Sequence, residues 1–369
     1  MNPDLVIAGG GPAGLSTAIA ARRRGLSCVV LERRHPPLDK ACGEGLMPGG
    51  CAWLEQHGVG LAATERAEFR GIRYQLGPWS AEARFSGRPG FGIRRTILSA
   101  ALRARAVELG AVLMDETELV AFREFDAGVD VETTGGPLCG RYLVGADGLG
   151  SVVRRLSGLE LKARGPRRFG IRRHFRVEPW TDLVEVHFGD ACEAYVTPVA
   201  PDLVGVAILF LRRGKYDDLL AGLPALAARL RQAEVASTNL GAGPFRRRSR
   251  ARATARVALV GDAAGYRDAI TGEGLTLAFH QGELLAETVA EGQPLSRYDA
   301  RAARSCRDID LLTALVLRMA RGRSRRLRLV KTLARHPDLL ERALAVLAGE
   351  ALVDSLRARD LLRIAPLLV

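Results

Sequence analysis

The chain has 369 residues, 47% hydrophobic and 26% charged, which excludes a disordered or fibrous protein and leaves room for two domains. Aromatics reach only 5%, too few for a stacking platform that would hold single-stranded nucleic acid. The net charge of +13 is concentrated in two stretches: residues 246–256 carry six arginines, and residues 318–335 carry seven plus Lys331, leaving 40 basic against 41 acidic residues elsewhere. Such stretches read either as solvated faces or as contacts for an acidic partner: membrane headgroups, a carrier protein or an anionic substrate.

Six cysteines (Cys28, Cys42, Cys51, Cys139, Cys192, Cys306) show neither C-x-x-C nor metal-ligand spacing, which predicts a reduced cytoplasmic protein with no metal. Its only membrane association would be peripheral, through the basic stretches. No basic leader precedes the first apolar segment, so a signal peptide is not expected. The longest apolar run, 203–211, has the length of a strand and not of a membrane span.

Residues 4–9 predict a buried strand. The Gly9-Gly10-Gly11-Pro12-Ala13-Gly14 turn then opens a helix to Arg24, with Pro12 in its first turn and Gly25 as its stop. Cys28 to Leu31 is a second strand ending at Glu32, which completes a βαβ opening. A loop over 36–50 carries Lys40-Ala41-Cys42-Gly43-Glu44-Gly45-Leu46. Arg95 to Leu109 predicts a helix with Leu98, Leu102, Ala106 and Leu109 on one face. Strands are expected over 111–133, and Tyr142-Leu143-Val144 runs into Gly145-Ala146-Asp147-Gly148.

Between about 160 and 245 the pattern changes to alternation. Val184, Val186 and Phe188 alternate against Leu183, Glu185 and His187, and further strands fall at 195–198 and 204–211. This block reads as an antiparallel insertion covering a substrate. The strand Val257-Ala258-Leu259-Val260 ends in Gly261-Asp262. Gly272-Glu273-Gly274 opens a helix over 273–291, and helical character fills 300–369.

The spacing Gly9-x-Gly11-x-x-Gly14 carries definite chemistry. The first glycine makes a tight turn, the second lets the backbone approach a pyrophosphate, and the third lets helix pack on strand. The helix N-terminus offers oriented N–H donors to the anion. Glu32 is placed to accept from a ribose diol, so the opening reads as a dinucleotide site. Asp262 is placed to accept from a ribityl or ribose hydroxyl, and the 272–274 turn can aim N–H groups at a flavin ring.

Together these motifs make the chain resemble the FAD-dependent oxidoreductase superfamily of the p-hydroxybenzoate hydroxylase fold. Its greatest similarity is to the branch with geranylgeranyl reductases, flavin halogenases and phenolic-lipid or polyketide hydroxylases. The resemblance spans roughly residues 1–290. It implies that Gly9, Gly11, Pro12, Ala13, Gly14, Glu32 and Arg33 hold the ADP half of FAD. Arg95 matches a phosphate or ribityl contact, and Gly261, Asp262, Gly272 and Gly274 match the flavin half. Asp147 and Gly148 match the turn linked to FAD and reduced nicotinamide in the hydroxylases. Cys42 and Gly43 lie in a stretch similar to the Cys-Gly-Gly-Gly-Leu loop of the isoprenoid reductases.

Three departures matter. Gly265 and Ala269 stand where aromatic hydroxylases usually have His and Pro, and the Gly-Trp-x-Trp-x-Ile-Pro signature of halogenases is absent.

The expected fold is therefore α/β, α+β overall: a Rossmann-like FAD-binding domain (1–74, 91–160 and 250–300), an inserted antiparallel-sheet substrate domain (75–90 and 161–249) and C-terminal helices (301–369). The expected activity is a monooxygenase that hydroxylates an apolar aromatic or polyketide-derived small molecule through a flavin C4a-hydroperoxide. NAD(P)H would be a transient donor, or a partner reductase would supply the electrons. Reduction of isoprenoid double bonds is the alternative enzyme, and a non-catalytic FAD-binding protein the alternative of another class. His174, His187, Glu193 and Tyr195, on strands expected to cover the flavin, and Cys42 are the candidates for catalytic side chains. Each could instead be an ordinary strand or core residue.

Overall fold

The computed structural model describes residues 2–163, 165–212, 214–349 and 360. Its first layer is a five-stranded parallel sheet ordered Val257–Leu259, Tyr142–Gly145, Leu5–Ala8, Cys28–Leu31, Val112–Met114. The short, wholly apolar strands fit a sheet buried on both faces: all four residues of Leu5–Ala8 are buried. Because Val257–Leu259 pairs beside Tyr142–Gly145, the Gly261-Asp262 turn comes to lie next to the Gly145-Ala146-Asp147-Gly148 turn, although more than a hundred residues separate them.

Helices Pro12–Arg22 and Gly274–Ala290 cross on this sheet. Gly282 makes the crossing close, because a Cβ there would sit 2.7 Å from the Thr17 hydroxyl. The N-termini of both helices, one from each end of the chain, consequently open onto the same space.

The second layer is a large sheet ordered Glu234–Val235, Phe169–Arg176, Leu203–Phe210, Cys192–Ala200, Val184–Phe188, Gly71–Leu76, Trp79–Arg84, with Leu240–Ala242 also paired to Phe169–Arg176. The expectation of a purely antiparallel insertion needs one correction. Val184–Phe188 and Gly71–Leu76 run parallel, since they arrive from different parts of the chain and no hairpin joins them. The Gly71–Leu76 strand also brings residues 71–74 into this sheet, ahead of the edge drawn at 75.

All eight residues of Leu203–Phe210 are buried because both faces of the strand are covered. Val204, Val206 and Ile208 pack against Tyr216, Leu219, Leu226 and Leu230 of two short helices, whereas Ala207 and Leu209 face a cavity.

Helices Leu295–Met319, Arg323–Arg335 and Pro337–Leu347 follow, and the 300–369 helical expectation beyond residue 349 lies outside the described residues, Asp360 apart. Leu329, Val330, Leu333, Leu340 and Leu344 share one apolar cluster with Ile72, Ala81, Ala83, Val184 and Val186. The C-terminal helices are thus part of the wall of the large sheet. Burying five leucine or valine side chains contributes on the order of 10 kcal/mol before chain entropy is counted. Arg326 in the second basic stretch is not solvated: it is buried and donates to the carbonyls of Ala320 and Gly189 at 2.9 and 2.6 Å. No helix among the described residues is long and apolar enough to cross a membrane.

Candidate active site between the two sheets

A cavity of about 560 Å³ runs from the 9–14 turn to the large sheet. At its polar end Gly9, Gly11, Pro12, Ala13, Glu32 and Arg33 line it. Gly14 does not. It lies behind the turn, where a Cβ would fall 1.9 Å from the Gly9 carbonyl oxygen, so its part is the close packing of helix on strand. At Gly11, by contrast, a Cβ would meet no protein atom within 4 Å, which leaves an open cradle at the helix N-terminus. The Glu32 carboxylate accepts from the Gly10 N–H at 2.9 Å and the Arg34 N–H at 3.0 Å, fixing the turn against the second strand.

Midway along, Arg95, Cys42, Gly43, Asp147, Asp262, Gly272 and Gly274 line the cavity. Gly261 lines a neighbouring pocket instead, and its N–H donates to Gln281 Oε1 at 2.7 Å. Asp147 accepts from the Val152 and Val153 N–H groups through Oδ2, at 2.7 and 3.1 Å, and so caps a short helix. Its Oδ1 is buried with no partner among the described residues, as is Arg95 Nη1. An orphaned acceptor and an orphaned donor in one cavity wall are expensive unless a ligand meets them. Arg154 is fully buried beneath and donates to the carbonyls of Ala263 (2.9 Å) and Leu149 (2.8 Å), locking the Asp147 turn to the Asp262 turn.

The apolar end is lined by Phe69, Ile72, Val184, Val186, Ala207 and Leu209, with Tyr74, Tyr195 and Thr197 as its polar groups. Burial, joined by the nearby Glu193 charge, pushes Tyr74 up to about 12 and Tyr195 well above the usual phenol range. Both are therefore neutral hydroxyls near pH 7. Tyr195 donates to the Ile270 carbonyl at 3.1 Å. Behind it Arg168 donates to Glu193 (2.6 Å) and pairs with Asp268 (3.1 Å). Burial raises Asp268 to about 6, with the Arg168 charge opposing and the Glu193 charge reinforcing the rise.

Of the five catalytic candidates, the structure places Tyr195 and Cys42 on the cavity and the other three outside its lining. His187 points away from the chamber and contacts Glu185 at 3.1 Å, inside a set that includes Trp180, Gln75 and Arg73. Burial works to raise Glu185, but hydrogen bonds from His187, Trp180 and Arg73 outweigh it and hold the carboxyl at about 2. Glu193 is buried and held by Arg168 and Arg326. His174 is fully buried between Glu44 and the Ser237 hydroxyl, with Ser237 Oγ 2.8 Å from its Nδ1.

The groups the sequence reading missed are the partners themselves. Glu44 has a left-handed backbone (φ 59°), accepts from the Arg95 N–H at 2.8 Å and meets His174. Arg172 lines the cavity and donates to Asp39 at 2.5 Å. An odd carboxylate inside a glycine-rich loop was the available signal for Glu44; nothing local marks Arg172.

Residues 3–197, over half the chain, match the FAD binding domain family, and the chain belongs to that family. It is 28% identical to dialkyldecalin synthase of Streptomyces rugosporus, over 87% of this chain and 74% of the relative. It is 30% identical to the 12-dehydrotetracycline 5-monooxygenase/anhydrotetracycline 6-monooxygenase of Streptomyces rimosus, over 81% of this chain, and spans 66% of that longer relative. It is also 30% identical to menaquinone reductase of Mycolicibacterium smegmatis, over 78% of this chain and 76% of the relative. A flavin-dependent brominase shares the fold at a TM-score of 0.85, covering 99% of this chain and 98% of the other at 18% identity.

Proposed function

We propose that the protein is an FAD-dependent monooxygenase that hydroxylates an apolar aromatic or polyketide-derived small molecule, with reduced pyridine nucleotide as the electron donor. The observation that carries this reading is the continuity of one cavity from a dinucleotide-shaped polar end to an apolar chamber edged by neutral phenols. FAD, when bound, would supply the redox chemistry. Gly9, Gly11, Pro12, Ala13, Glu32 and Arg33 would hold its adenosine and pyrophosphate, with Arg95, Asp147, Asp262, Gly272 and Gly274 along the remainder.

The chain's own residues then have two tasks. Phe69, Ile72, Val184, Val186 and Leu209 exclude water and grip a flat apolar substrate. The Tyr195 hydroxyl, backed by Arg168 and Glu193, orients a substrate oxygen by hydrogen bonding and leaves the proton on its own oxygen. The named activity of the Streptomyces rimosus relative supports the monooxygenase reading.

A second reading is reduction of isoprenoid double bonds. Cys42 and Gly43 line the midpoint of the cavity, and the menaquinone reductase relative supports it. The two readings differ over oxygen. FAD-loaded protein with NADPH and a phenolic polyketide should consume O2 in step with product, whereas turnover of a polyprenyl substrate without oxygen would overturn the first reading.

A further inference from the structure

A second pocket of about 230 Å³ lies on the other side of the 261–274 segment from the main cavity. Asp262, Tyr266, Thr271 and Gly274 line both spaces, so one layer of chain separates them. The first basic stretch of the sequence, which the proposed function does not use, supplies the wall: Arg246, Arg247, Arg248 and Arg252, joined by Arg267. Of these, Arg247 also donates to the Leu149 carbonyl at 2.8 Å and Arg252 meets Asp299 at 3.9 Å.

The charges do not cancel. Asp262 is taken up by Lys40 at 3.0 Å, Asp268 by Arg168 at 3.1 Å and Asp310 by Arg267 at 3.3 Å. Arg246, Arg247 and Arg248 have no carboxylate partner among the described residues. Burial depresses the Arg246 pKa, and the Arg267, Arg248 and Arg321 charges add to that, as expected of guanidinium groups crowded together without a counter-ion. The pocket is also polar in its depths. Among the described residues, Ser249 Oγ, Arg252 Nε and both carboxyl oxygens of the almost wholly buried Glu273 are buried with no hydrogen-bond partner. Burial holds the Glu273 carboxyl well above the usual carboxylate range.

Guanidinium forks with the Ser249 hydroxyl form a donor set suited to phosphate oxygens. The volume suits a phosphorylated sugar and not an entire dinucleotide. We propose that this pocket recognises a phosphate monoester, and that its ligand is the 2′-phosphoribose end of the reduced pyridine nucleotide. The first half stands on the pocket alone; the second rests on the monooxygenase reading, which requires such a donor next to the flavin cavity.

The test uses FAD-loaded protein and its Arg246→Gln/Arg248→Gln variant, whose changes are on partly exposed side chains. Both are titrated calorimetrically with adenosine 2′,5′-bisphosphate and adenosine 5′-monophosphate. The bisphosphate should bind the parent at least tenfold more tightly than the monophosphate, and the variant should lose at least tenfold for the bisphosphate while keeping its FAD content. KM for NADPH should rise at least tenfold in the variant, with KM for NADH unmoved. Equal binding of bisphosphate by both proteins overturns the pocket. Loss of bisphosphate binding with unchanged NADPH kinetics overturns the donor assignment. Absence of any NAD(P)H oxidation counts against the monooxygenase reading, and the calorimetry still decides the pocket.

Discussion

Lys40 and Asp262, 222 residues apart in sequence, pair at 3.0 Å in the wall of the main cavity. The pair ties the loop before Cys42 to the turn after the last parallel strand, and it aims the Asp262 carboxylate into the cavity. Both side chains are partly exposed, so the pair is worth under about 1 kcal/mol to the fold. Lys40→Ala should therefore barely change the melting temperature. FAD affinity should fall about tenfold, or about 1.4 kcal/mol, read by flavin fluorescence titration.

Gly11 and Gly14 separate ligand binding from folding. A methyl at Gly11 meets no protein atom, so Gly11→Ala should melt like the parent while losing FAD by at least tenfold. Gly14→Ala drives a Cβ to 1.9 Å from the Gly9 oxygen and should lower stability and FAD content together. Differential scanning of the FAD-free proteins, beside the flavin titration, distinguishes the two.

Tyr195→Phe removes one of the hydroxyls at the edge of the chamber, the one backed by Arg168 and Glu193. We expect kcat/KM for a phenolic substrate to fall about tenfold or more, of the order of a lost hydrogen bond. FAD content and the rate of donor oxidation in the absence of substrate should persist. His187→Gln, on the opposite side of its strand, should leave kcat/KM within about twofold. Equal losses in both variants would contradict the geometry.

How much of this was legible in the sequence follows from the range of each interaction. Gly9, Gly11, Gly14 and Glu32 act within one βαβ unit, so their spacing alone announces the turn. The chamber is different. Alternation along 184–188 separates two sets of residues, but both faces are buried, and periodicity does not say which one meets the cavity. His187 and Glu185 are hidden by Trp180 and by Arg73 and Gln75, the last two on a strand more than a hundred residues earlier. His174 finds Glu44 across 130 residues, and Arg168 finds Asp268 across a hundred. A single sequence carries no local trace of such pairs, whereas the 9–14 turn and Glu32 are marked by local spacing.

Two carboxyls, the half-buried Glu283 and the buried Asp268, give stability opposite slopes with pH. Glu283 pairs with His57 (2.9 Å) and Arg24 (2.6 Å); burial tends to raise it, but these partners hold it at about 2, below its ordinary 4.5. Its stabilisation is present above pH 4.5 and is lost as pH falls toward 2. Asp268 is the reverse. Raised by burial to about 6 from 3.8, it binds its proton more tightly when folded, so its contribution is full below 3.8 and lost as pH rises through 6. Urea titrations should show Glu283→Gln flattening the acid limb below pH 4.5, and Asp268→Asn flattening the decline between pH 4 and 6.

The central claim is that one cavity joins an FAD site to a chamber where oxygen is transferred to an apolar substrate. The most direct measurement is single-turnover reaction of FAD-loaded, NADPH-reduced protein with 18O2 and a phenolic polyketide, followed by mass spectrometry of the product. One 18O atom should appear in the product for each flavin reoxidised. Product that carries no label, or that forms at the same rate without oxygen, would contradict it.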